Sequence, residues 1–98
     1  MRLINFLVSI RRLPPLSELS GDEERFLFEL HELWSKLGAL QVADTYGLAS
    51  QKSPSTSYRL LVSLKDKGLL RLDVDTEDRR KRHIHFTETA HNLFKALG

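Results

Sequence analysis

Ninety-eight residues, 41% of them apolar and 29% charged, suit one small domain with a single core, too short to frame a large catalytic cleft. The absence of cysteine excludes disulfide scaffolds, Cys-based zinc sites, iron–sulfur clusters and thiol chemistry, and it suits a reducing cytoplasm. The net charge is only +2, but residues 17–50 hold two Lys/Arg against seven Asp/Glu, while residues 51–98 hold ten against six. A chain with its bases gathered in one half raises nucleic acid as a partner.

The first sixteen residues place Leu3, Phe6, Leu7, Ile10 and Leu13 on one helical face and break at Pro14-Pro15. This segment is read as an apolar arm, residues 1–16, either packing back on the core or meeting a second subunit. It is too short to span a bilayer, which takes about 20 apolar residues. It also stops at Arg11-Arg12 with no small-x-small cleavage site beyond, unlike a secretory signal.

Residues 17–98 form the domain proper. Ser20 and Glu23 have capping-box spacing, and Asp22, Glu23 and Glu24 sit where a helix N-terminus favours negative charge. Phe26, Leu27, Leu30, Leu33, Trp34 and Leu37 then make one apolar stripe, ended by Gly38. Phe28 lies almost opposite that stripe at ~100° per residue, so something is expected to cover it. Ala39-Leu40 is a minimal bridging strand. Gln41 to about Ser50 reads as a short second helix with Val42, Tyr46 and Ala49 on one face, Tyr46 and Trp34 being taken as core.

Ser53-Pro54 marks the next helix start, Ser as N-cap and Pro at the first helical position; this helix runs to Lys67 and stops at Gly68. Leu70, Leu72 and Val74 alternate with Arg71 and Asp73, and Ile84 and Phe86 alternate with His83 and His85. These two strands flank the charged loop from Asp75 to Arg82, which predicts an antiparallel hairpin. A final helix, capped near Thr87, buries Ala90, Leu93, Phe94 and Leu97.

A helix pair followed at once by a basic hairpin is the layout of a winged helix–turn–helix: mainly α with a small β-hairpin wing. On the 53–67 helix, Ser57, Leu60, Leu61 and Leu64 turn inward, and Ser55, Thr56, Arg59, Val62 and Ser63 turn outward. Arg can pair bidentately with guanine, and Ser or Thr can bond a base edge or a phosphate. A merely solvated face would carry more Glu and Lys. The loop then supplies four consecutive bases, Arg79, Arg80, Lys81 and Arg82, whose mutual repulsion calls for counter-charge such as phosphate.

Three segments, Leu64-Lys65-Asp66-Lys67-Gly68-Leu69-Leu70, Asp75-Thr76-Glu77-Asp78-Arg79-Arg80 and His85-Phe86-Thr87-Glu88-Thr89-Ala90, resemble the MarR-type winged-helix transcriptional regulators over about residues 40–97. The resemblance implies bacterial transcription control by a homodimer on a near-palindromic operator. It also implies a partnered wing Asp and Arg, here Asp78 and Arg80, with the Arg entering the minor groove. The chain departs from that family in having only short terminal helices, where the family builds its dimer interface and effector pocket, so the resemblance carries neither an effector site nor a dimer geometry over to it. The turn between the two helices is also about one residue longer than usual.

The expectation is therefore a sequence-specific double-stranded DNA-binding regulator, a repressor, cytoplasmic and without a membrane segment. Lys52, Ser53, Ser55, Thr56, Tyr58, Arg59 and Ser63 would face the major groove and its backbone, with Arg79, Arg80, Lys81 and Arg82 as the wing contact. The alternative is a winged-helix interaction module that docks on another protein through Phe28 and the arm. No enzyme is expected, since there is no phosphate-binding glycine loop, nucleophile elbow or paired carboxylates in a cleft. Neither a cofactor nor a metal is expected, because outward histidines such as His83 and His85 are ordinarily solvated.

Overall fold

Helix α1, Gly21–Leu37, begins at a complete capping box. The Ser20 amide donates to Glu23 Oε1 at 2.9 Å and the Glu23 amide to Ser20 Oγ at 3.1 Å. Such reciprocal bonds satisfy amides that the first turn otherwise leaves orphaned. The helix ends at Gly38, whose φ of 78° is left-handed and whose amide returns to the Trp34 carbonyl at 2.8 Å. A side chain there would be strained, so glycine is the fitting stop. The structure, a computed structural model, describes residues 13–48 and 53–97. The arm positions Leu3, Phe6, Leu7 and Ile10, and Lys52, lie outside the described residues.

The α1 stripe is buried as expected at Phe26, Leu27 and Leu30, half-buried at Leu33 and Trp34, and exposed at Leu37, where the helix outruns the core. Phe28 is half-buried and packs against the edge of the core.

Strand β1, Leu40–Gln41, leads straight into a 3-10 helix, Val42–Gly47, in place of the longer α-helix that the spacing predicts. The change of pitch moves the inward face. At three residues per turn Val42, Thr45 and Leu48 fall in one row. Val42 and Thr45 are buried and Leu48 is half-buried, while Tyr46 rotates outward to 46% exposure. Tyr46 is therefore a surface residue and not core. Thr45 tolerates its burial because its hydroxyl donates to the Val42 carbonyl at 2.7 Å.

Helix α2, Pro54–Asp66, starts as read from the sequence: Ser53 is the N-cap, Pro54 opens the helix, and Ser53 Oγ accepts the Thr56 amide at 3.2 Å. Ser57, Leu61 and Leu64 are buried. The chain reverses at Gly68, φ 82°, and the Leu69 amide reaches back to the Leu64 carbonyl at 3.0 Å, which seats Leu69 fully in the core.

Strands β2, Leu70–Val74, and β3, Arg82–Phe86, pair antiparallel with Leu72 opposite Ile84. Strand β1 adds to the far side of β3, with Leu40 also opposite Ile84, so the sheet order is β1-β3-β2. Val74 is exposed because the hairpin has by then left the core. Thr87 ties the hairpin's return to the end of α2: its hydroxyl donates to the Gly68 carbonyl at 2.7 Å and accepts the Ala90 amide at 3.3 Å. Helix α3, Glu88–Leu97, then buries Ala90 and Leu93, with Phe94 and Leu97 packed against the core edge.

Candidate nucleic-acid interface

Helix α2 divides its outward face into two halves. Toward its N-terminus, Ser55, Tyr58 and Arg59 are exposed and Thr56 is half-buried. Ser53 Oγ donates to Thr56 Oγ1 at 2.9 Å and lies 3.2 Å from Ser55 Oγ, so three hydroxyls gather at the helix start. Among the described residues Arg59 has no ion-pair partner. Short polar side chains and a dipole favouring anions make this end approachable by phosphate.

Toward the C-terminus the face turns into the fold. Ser63, expected among the DNA-facing residues, is half-buried and its hydroxyl donates to Glu23 Oε2. Lys67 Nζ donates to both Glu23 oxygens, at 2.8 and 2.9 Å, and to the Glu18 carbonyl at 2.8 Å. Ser63 thus holds α2 against the start of α1, and its hydroxyl proton is not free to reach a base. Burial alone would raise the Glu23 pKa, but bonds from Lys67, Ser63 and Ser20 outweigh it and lower the value to about 2. This cluster joins residues 40 and 44 positions apart, so no local sequence signal could have shown it.

The wing is organised by two aspartates. Asp75 Oδ1 accepts the amides of Glu77 at 2.8 Å and Asp78 at 2.9 Å, and Asp75 Oδ2 lies 2.7 Å from His83 Nε2. The His83 bond, then the Asp78 and Glu77 amides, lower the Asp75 pKa to about 2. Asp78 accepts from the Arg80 amide at 3.0 Å and from Arg80 Nε at 3.2 Å, and the Arg80 guanidinium holds it below the usual carboxylate range. The Asp78–Arg80 partnership implied by the family resemblance is thus present in the geometry. Arg79, Arg80, Lys81 and Arg82 are all exposed.

The remaining histidine chemistry is modest. His85 Nε2 lies 3.3 Å from Asp73, which also pairs with Arg71 Nε at 3.1 Å. Among the described residues no group of three His, Asp or Glu is placed to hold a metal ion. No helix among them is long and apolar enough to cross a membrane.

Among the described residues, three α-helices and the 3-10 helix Val42–Gly47 around a three-stranded antiparallel sheet, with a basic hairpin following the exposed helix, define a winged helix–turn–helix. Its shape is similar to that of solved MarR-family regulators. The Staphylococcus aureus MepR–DNA complex superposes with a TM-score of 0.69 at 21% identity, over 96% of this chain and 71% of that one. The Thermotoga maritima transcriptional regulator Tm0710 gives 0.67 at 17% identity, over 96% and 63%. Bordetella bronchiseptica BpsR, whose DNA binding is regulated by 6-hydroxynicotinic acid, gives 0.61 at 22% identity, over 94% and 62%. The chain therefore spans about two thirds of the length of these proteins, and at such identities the likeness is one of fold. No family model matches the sequence, and no curated protein is similar to it.

Proposed function

We propose that this chain is a double-stranded DNA-binding transcription regulator that lays α2 in the major groove and its wing on the adjoining backbone or minor groove. The observation that carries the reading is adjacency: Tyr58 of the exposed α2 face and Arg80, Lys81 and Arg82 of the wing border one cavity. The helix proposed for the groove and the wing proposed for the backbone thus lie side by side, as a duplex requires. The fold shared with the MepR–DNA complex favours the same reading, and the neighbours being regulators favours a non-enzymatic role.

In this reading Arg59, Ser55 and Thr56 meet base edges or nearby phosphates, and Lys52, Ser53 and Tyr58 meet the backbone. Arg79, Arg80, Lys81 and Arg82 form the wing contact, with Arg80 aimed by Asp78. Ser63 serves the fold. The protein acts in the cytoplasm as a homodimeric repressor, with the 1–16 arm as a dimer element and residues 17–98 as the DNA-binding domain. The docking-module alternative gains no free anchor from Phe28, which packs on the core.

The test is Arg59→Ala, measured by fluorescence anisotropy on a preferred duplex and on single-base variants of it. Affinity falls by about 1–3 kcal/mol and discrimination relaxes at one base position. Intact discrimination at every position would mean that α2 is oriented otherwise.

A further inference from the structure

Where the Val42–Gly47 helix, α2 and the wing converge, they line an open cavity of about 260 Å³. Tyr46 and Tyr58 line it from the two helices, and Arg80, Lys81 and Arg82 line it from the wing. Both tyrosines are large rings left 46% and 41% exposed. Among the described residues neither hydroxyl has a hydrogen-bond partner, and neither Lys81 nor Arg82 has an ion-pair partner. The nearby carboxylates are already engaged: Asp78 holds Arg80, and Asp44 accepts the Gln41 amide at 2.8 Å. Three cations and two unengaged hydroxyls around one hollow call for an anion rich in acceptor oxygens, and a tetrahedral phosphate meets that demand.

We propose that this cavity seats a backbone phosphate of the bound duplex, and that Tyr46 is a contact residue there, donating its hydroxyl to a phosphate oxygen. The inference rests on the DNA-binding reading and deepens it, because it places a contact on the first helix of the helix–turn–helix as well as on α2 and the wing. Tyr46 reaches this position only because its helix is 3-10, which turns it away from the core. A phosphate lodged between the two helices and the wing would also fix the wing angle on the groove.

Tyr46→Phe removes the hydroxyl alone, and since that hydroxyl bonds nothing in the described fold, the thermal midpoint should not move. Anisotropy on two unrelated duplexes, with wild type, Tyr46→Phe and Arg59→Ala, is the binding readout. NMR signals of Tyr46 and Lys81 are followed in parallel while inorganic phosphate or duplex is added. Tyr46→Phe is expected to weaken both duplexes by the same factor, about three- to tenfold. Both signals should move on adding duplex and respond only weakly to inorganic phosphate. Wild-type affinity in Tyr46→Phe, with Arg59→Ala weakened, overturns the phosphate seat and leaves the DNA-binding reading standing. A loss confined to one duplex overturns it too, by making Tyr46 a base contact. Saturable shifts with inorganic phosphate, with duplex affinity unchanged in Tyr46→Phe, would reassign the cavity to a free anion. No duplex binding by the wild type would defeat the DNA-binding reading itself.

Discussion

Glu23 does three jobs with one carboxylate: it closes the capping box, accepts the Ser63 hydroxyl and pairs with Lys67. Burying a charge is costly unless every lone pair is answered, and here they are. The answered carboxylate has its pKa lowered from about 4.5 to about 2, so its contribution to stability is fully present above the unfolded value and is lost as pH falls from about 4.5 toward 2. Glu23→Gln should lower stability at neutral pH by roughly 1–3 kcal/mol, since Lys67 and Ser63 lose a charged acceptor. It should also flatten the acid limb of a plot of thermal midpoint against pH. A variant that keeps the wild-type acid limb would show that other carboxylates carry it. The half of this site that lies within four residues, Ser20 with Glu23, is legible in the sequence. The other half is not, because Ser63 and Lys67 reach Glu23 only after α2 has folded back across α1.

At the scale of elements, the wing is a turn built by side chains. Asp75 replaces the backbone pairing that ends at the tip of the hairpin, accepting two amides on one oxygen and facing His83 with the other. Asp75→Ala should release the turn, with amide exchange at Glu77 and Asp78 rising several-fold as each amide loses its acceptor. Asp75→Asn retains an acceptor oxygen and should keep most of that protection while losing the charge opposite His83. Equal exchange in wild type and Asp75→Ala would mean that the strands alone hold the tip. Elements with strong punctuation were legible: Ser20 and Ser53 start helices, Gly38 and Gly68 stop them, and alternation from Leu70 to Phe86 gives the hairpin. The Val42–Gly47 helix was not, because six residues are too few to distinguish a pitch of three from one of 3.6. That ambiguity is what placed Tyr46 in the core on paper and on the surface in the fold. The two-residue β1 carries no periodicity at all, and its pairing with β3 is visible only in three dimensions.

Across the whole molecule, charge is sorted along the chain as well as in space. The acidic stretch from residue 17 to 50 holds α1, and the basic stretch holds α2 and the wing. In the proposed reading, electrostatic attraction to a duplex would act mainly through the basic half that carries the exposed helix and the wing, steering as well as binding. Replacing Lys81 by Ala should weaken binding to all duplexes alike and lower the slope of log affinity against log salt by about 1. A change confined to one sequence would instead make Lys81 a base reader. Selection of bound sequences from a random duplex pool, run with the purified chain at two salt concentrations, tests the central claim most directly. The account predicts an enriched inverted repeat at both salts, with weaker overall retention at the higher one and a spacing set by the dimer. Retention without enrichment, or no retention at either salt, would contradict it.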